Sequence, residues 1–152
     1  MNYQNLVRDF AHRTRDNLEV LRNLQKIKPD VEVYEVTQLI NSMLGLLVFP
    51  QQRYFDHIPK TPLGELASQG WPIPKVEGNY PQVKDLLELF RYLRNSITHC
   101  NLEFLSDERE QISGLCVWNT NPRNGRTTWK ARLTIEDIEK ITGKLIHLLL
   151  EE

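Results

Sequence analysis

Leu86-Leu87-Glu88-Leu89-Phe90-Arg91-Tyr92-Leu93-Arg94-Asn95-Ser96-Ile97-Thr98-His99-Cys100 is the stretch on which the fold turns. At about 100° per residue, Leu86, Phe90, Leu93, Ile97 and Cys100, with Phe104 beyond them, fall in one stripe. The spacing predicts a helix over residues 82–105 that turns this stripe to a core. Arg91, Arg94, Asn95, Thr98 and His99 fall on the opposite side. Asn95 and His99 are one turn apart and adjacent. Arg94 lies about 140° round from His99, so one helix cannot close both on a small group. Leu87 and Leu102 share the outer side, and leucines mixed with Arg and His read as a partner surface. A two-fold contact would bring two arginines and two histidines into one cleft. The plain alternative is a solvated face, which is the ordinary state of such residues.

Working outward, residues 5–27 carry Leu6, Phe10, Leu18, Leu21 and Leu24 at helical spacing, and Pro29 and Asp30 end that helix. Residues 31–48 are apolar on more than one side, so a second helix is expected to lie centrally. Residues 51–81 hold Pro59, Pro62, Pro72, Pro74 and Pro81 with Gly64, Gly70 and Gly78. They read as a long connection with one short helix over 63–68, tied down by Trp71 and Ile73. After the third helix, residues 111–118 and 127–133 alternate as strands around the turn Asn121-Pro122-Arg123-Asn124-Gly125. A β-hairpin over about 109–133 is therefore expected before the last helix, residues 134–150. Thr134, with Asp137 three residues on, resembles a capping box.

A length of 152 residues suits one domain over 1–152. A 40% hydrophobic and 26% charged composition argues against disorder. A net charge of −1 means that any nucleic-acid binding must rest on local patches. Cys100 and Cys116 form no C-x-x-C pair and have no histidine at ligand spacing, so no zinc site and two reduced thiols are expected. The first fifteen residues lack the apolar core of a signal peptide. The most apolar run, 39–49, is too short to span a bilayer. The expectation is a cytoplasmic protein without membrane contact, metal or cofactor.

Arg94-Asn95-Ser96-Ile97-Thr98-His99 resembles the Arg-x4-His signature of the HEPN superfamily, in which a polar residue usually follows the arginine. Tyr34 to Pro50, Leu93 to Phe104, and the hairpin from Trp118 to Trp129 are similar to a bacterial, often plasmid-borne, family of HEPN-type nucleases. The likeness runs from Leu6 to Leu150. It implies a mainly α fold, a four- to five-helix bundle with the hairpin appended before the C-terminal helix. It implies a homodimer with a composite active site, cleaving RNA without a metal in toxin–antitoxin, antiviral or other defence systems, with an antitoxin or another defence protein as partner. A catalytically silent HEPN dimer that binds RNA, a nucleotide or a protein is the alternative. The carry-over falls on Arg94, Asn95 and His99.

The side chains suit that chemistry. Deprotonating a 2′-hydroxyl lets it attack the adjacent phosphorus, leaving a 2′,3′-cyclic phosphate and a 5′-hydroxyl. Imidazole exchanges protons around neutrality, so His99 is the base or the acid. The Arg94 fork would hold the phosphate and stabilise growing charge. Asn95 would orient His99 or the phosphate, with Arg91 and Asn101 as further candidates. Arg123, Arg126, Lys130 and Arg132 follow Trp118 without an intervening acid. Beside Trp118 and Trp129 they could grip phosphates and stack bases, or form a solvated tip over packed tryptophans. Arg8, His12, Arg13, Arg15 and Arg22 read as an ordinary charged face. Arg53 with His57 is a loop pair with no assigned role, and His147 reads as a packed or partly exposed helix residue.

Overall fold

The computed structural model describes residues 3–50, 55 and 58–151. Arg53 and His57 lie outside the described residues. Helix α1 (Tyr3–Ile27) buries Val7, Ala11 and Leu18, a stripe at helical spacing. Helix α2 (Glu35–Val48) buries Leu39, Ile40, Met43, Leu46 and Leu47, and it is the central helix that its sequence requires. It starts at Glu35; residues 31–34 are not helical. The Phe10 ring lies over Gly45 of α2 and stacks on Phe49 with ring centres 4.8 Å apart.

Helix α3 (Leu63–Ser68) forms where the connection was expected to be helical. Trp71 anchors the segment after it, edge-on to Phe90 at 5.6 Å, and Ile73 is half-buried. Strand β1 (Lys75–Val76) follows, a pairing that nothing in the local sequence announces. Helix α4 (Leu86–Thr98) starts four residues later than the periodicity suggests. Asp85 is its cap, accepting from Glu88 N at 2.8 Å while Glu88 Oε2 accepts from Lys84 N at 2.8 Å.

The helix also stops early. Residues 102–106 are strand β2 (Leu102–Ser106), not the end of a helix. Strands β3 (Ile112–Thr120) and β4 (Thr127–Thr134) form the expected hairpin, but it is the middle of a larger sheet. The four strands run antiparallel in the order β1-β4-β3-β2. The fold is thus mixed, with five helices among the described residues and a four-stranded sheet before the last. Helix α5 (Ile135–Glu151) opens with the reciprocal bonds of a capping box: Thr134 Oγ1 accepts from Asp137 N at 3.1 Å, and Asp137 Oδ2 from Thr134 N at 2.9 Å.

One core joins both layers. Leu115, Val117, Trp129, Ala131 and Leu133 from the sheet meet Leu89, Phe90 and Leu93 of α4 and Ile138 and Ile141 of α5. Two members of the expected stripe are missing from it, because Cys100 and Phe104 lie beyond the end of the helix and are exposed. Both cysteines are free. No helix among the described residues is long and apolar enough to cross a membrane.

Candidate functional site

The segment from Arg94 to His99 occupies the last turn and a half of α4, and the way that helix ends decides what each side chain can reach. Cys100 N donates to Ile97 O at 3.0 Å and Asn101 N to Ser96 O at 2.7 Å, with Cys100 at φ 55°. This pair of bonds around a left-handed residue is the Schellman closure. It makes His99 the cap and swings the chain into β2. There Asn101 O accepts from Trp118 N at 3.1 Å and Leu102 pairs with Val117. A cysteine pays a steric cost in this conformation that glycine does not. Cys100→Gly is therefore expected to stabilise the fold by about 1 kcal/mol, raising Tm by roughly 2–4 °C in a thermal melt.

A buried polar contact locks this end of the helix to the sheet. Asn119 of β3 donates from Nδ2 to Tyr92 O at 3.2 Å; Ser96 Oγ donates its one hydrogen to Tyr92 O at 2.9 Å and lies 3.5 Å from Asn119 Oδ1. Tyr92 lies edge-on to Trp129 at 5.2 Å, and burial pushes its phenol up from its ordinary value. Asn119 and Ser96 were not singled out from sequence. Their only signal is that each is a polar residue in an apolar element.

Around that lock the three motif residues separate. Arg94 is half-buried, its guanidinium carbon 4.9 Å from the centre of the Phe55 ring. Asn95 and His99 are exposed, next to the side that Tyr92 and Ser96 turn to the sheet. Thr98 Oγ1 bonds back to Arg94 O at 2.9 Å. Arg91 is exposed one turn before Asn95. Arg94 thus packs against Phe55, and His99 caps the helix where the chain turns into β2. The outer leucines do not persist as a partner surface. Leu87 is buried in its own chain at 8% exposure, and Leu102 belongs to β2 and packs against the core.

The family model described as HEPN pEK499 p136 matches residues 1–152. The chain belongs to this HEPN family. No curated protein sequence and no solved structure matches it. HEPN proteins are commonly ribonucleases.

The remaining candidates of this HEPN chain divide. Arg123 and Arg126 are exposed on the β3–β4 turn, which Asn121 and Asn124 shape by accepting from their backbone N–H groups at 2.8 and 3.0 Å. That turn leaves the sheet at the end where His99 and Asn101 lie, because Asn101 meets Trp118 two residues before β3 ends. Asn101 is half-buried with its backbone engaged at both N and O. Lys130 is not a free cation: its Nζ is 3.2 Å from Glu77, which also takes Arg132. The Arg132 guanidinium holds the Glu77 carboxyl below the ordinary carboxylate value, and Glu77 in turn raises the Lys130 ammonium. Trp129 is fully buried and cannot stack on a base.

The first helix is the charged face it resembles, with Arg13–Asp9 and His12–Asp16 pairs on one turn and Arg22 bridging Glu35 and Glu139. His147 is exposed and pairs with Glu151 at 2.9 Å. A cleft of about 560 Å³ opens between α1, α2 and α5, walled by Arg15, Arg22 and Glu139. It includes none of the motif residues. Among the described residues no three His, Cys, Asp or Glu side chains gather as a metal site.

Proposed function

We propose that this HEPN protein is a metal-independent endoribonuclease acting from a composite site at a homodimer interface. The observation that carries it is the intact Arg94-Asn95-x-x-x-His99 motif at the end of α4 in a chain matched by the family over its full length. His99 takes the 2′-hydroxyl proton or supplies one to the leaving 5′ oxygen. The freed 2′ oxygen attacks phosphorus and the bond from phosphorus to the 5′ oxygen breaks. Two copies supply two imidazoles, so one can accept a proton while the other donates. Arg94 carries no removable proton and acts on the phosphate charge. Asn95 lies one turn from His99 and orients the imidazole or a phosphate oxygen. Arg91, Asn101, Arg123, Arg126 and Lys130 are the flanking contacts for RNA. A partner copy is supported by the sequence spacing, which sets Arg94 about 140° round the helix from His99.

In this reading the protein works in the cytoplasm as a toxin or phage-defence effector, held in check by an antitoxin or another defence protein. The test is cleavage of an end-labelled RNA pool by the purified protein with EDTA present. Products ending in 2′,3′-cyclic phosphate and 5′-hydroxyl are expected. An RNA that stays whole, with binding intact, would instead assign the chain to the silent HEPN modules.

A further inference from the structure

Leu115 and Val117 of β3 and Trp129, Ala131 and Leu133 of β4 point into the core, so the residues between them point away from it. Strand pairing aligns those outer residues in two rows. In one, Asn101 O accepts from Trp118 N, Trp118 pairs with Lys130, and Glu77 N donates to Lys130 O at 2.9 Å. In the other, Glu103 pairs with Cys116, Cys116 with Arg132, and Arg132 with Lys75. Neighbouring strands lie about 4.8 Å apart and the rows about 7 Å apart. Trp118 is half-buried, and it is the tryptophan the sheet turns away from the core. Arg132 is exposed in the second row on β4 and Lys75 is exposed opposite it on β1, and Arg123 and Arg126 continue the positive charge past the end of β3.

We propose that this outer face is a platform for unpaired RNA, with Trp118 stacking on one base and Lys75, Lys130 and Arg132 holding phosphates. The inference rests on the ribonuclease reading and adds the form of substrate the site takes. A chain of net charge −1 here concentrates five basic residues, the three cations with Arg123 and Arg126, against Glu77 and Glu103. The first row starts at Asn101, two residues beyond His99, so a strand laid along it leads to the imidazole. Stacking requires an exposed base face, which a duplex does not offer. Glu77 holds Lys130 and Arg132 in place and also competes with phosphate for them.

The test is the affinity of the full-length protein for a fully 2′-O-methylated RNA strand, which has no nucleophile to cut, and for its duplex, across a salt series. The single strand should bind at least tenfold more tightly than the duplex. Trp118→Ala should weaken single-strand binding about tenfold, and Trp118→Phe should restore most of it. Glu77→Gln should tighten binding and steepen the dependence of log K on log salt by about 0.7 for each cation released. Lys75→Glu, at an exposed position that does not threaten folding, should make that dependence shallower by about 0.7. Equal affinity for strand and duplex, no binding by the wild type, or a Lys75→Glu chain that binds as the wild type does would overturn the platform. The ribonuclease reading fails separately. If the wild type never cuts an unmodified strand yet binds it through Trp118, the platform stands alone; cutting that ignores Trp118 removes only the platform.

Discussion

His99→Ala is expected to fold as the wild type does and to lose RNA cleavage by about 10²–10⁴-fold, the range for removing a positioned acid or base. The fold should survive because the backbone of His99, not its ring, closes α4: its N–H donates to Asn95 O at 3.1 Å. The imidazole itself is exposed. Arg94→Ala should cost about 10²–10³-fold, the scale of one charge-stabilising donor. It also removes a cation from the Phe55 ring, so some loss of stability accompanies it. Arg94→Lys separates the two effects. It keeps the charge but loses the planar fork, and it should restore stability more than cleavage. Equal cleavage by wild type and both alanine variants, each shown to be folded, would assign the activity to a contaminating nuclease.

Gly114→Ala is expected to be the most damaging glycine substitution in the chain. Gly114 pairs with Thr134 where β4 hands over to α5, and a Cβ there would overlap the backbone carbonyl oxygen of Leu133. Backbone cannot step aside as a flexible side chain can, so β3 and β4 must part. The cost is about 3 kcal/mol, a fall in Tm of roughly 6–12 °C. Gly143→Ala should do the reverse. Gly143 lies inside α5 with nothing within 4 Å of the added carbon, so helix propensity governs and about 1 kcal/mol is gained. Thermal melts of the two variants beside the wild type check both signs. A Gly114→Ala chain as stable as the wild type would mean that the β3–β4 junction relaxes freely.

The local signals in the sequence were sufficient wherever a single segment decides its own state. The apolar period of α1, the central character of α2, the short α3 and the Thr134–Asp137 cap follow from neighbours within a turn or two. The same holds for the β3–β4 hairpin, whose turn residues shape it. The start of α4 was also written locally, in Asp85 and Glu88, although the longer apolar period masks it.

The motif of Arg94, Asn95 and His99 was legible for the same reason: residue types at a fixed spacing need no fold to be read. Where they stand did need one. The run Leu102 to Ser106 has a period that suits α4, and it becomes a strand because the edge of β3 offers it a ladder. Only that pairing exposes Phe104, makes His99 a helix cap and draws Leu102 back to the core. The two residues of β1 pair with β4 across more than fifty positions of chain, and with them comes Glu77, which ties up Lys130 and Arg132. The sequence by itself determined the helices, the hairpin and the chemical groups of the motif, because short-range periodicity and caps act within a few residues. The tertiary structure alone decided the four-stranded sheet, the end of α4 at His99 and the pairing of Lys130 and Arg132 with Glu77. Those depend on contacts between segments far apart in the chain, whose free energy exceeds any local preference.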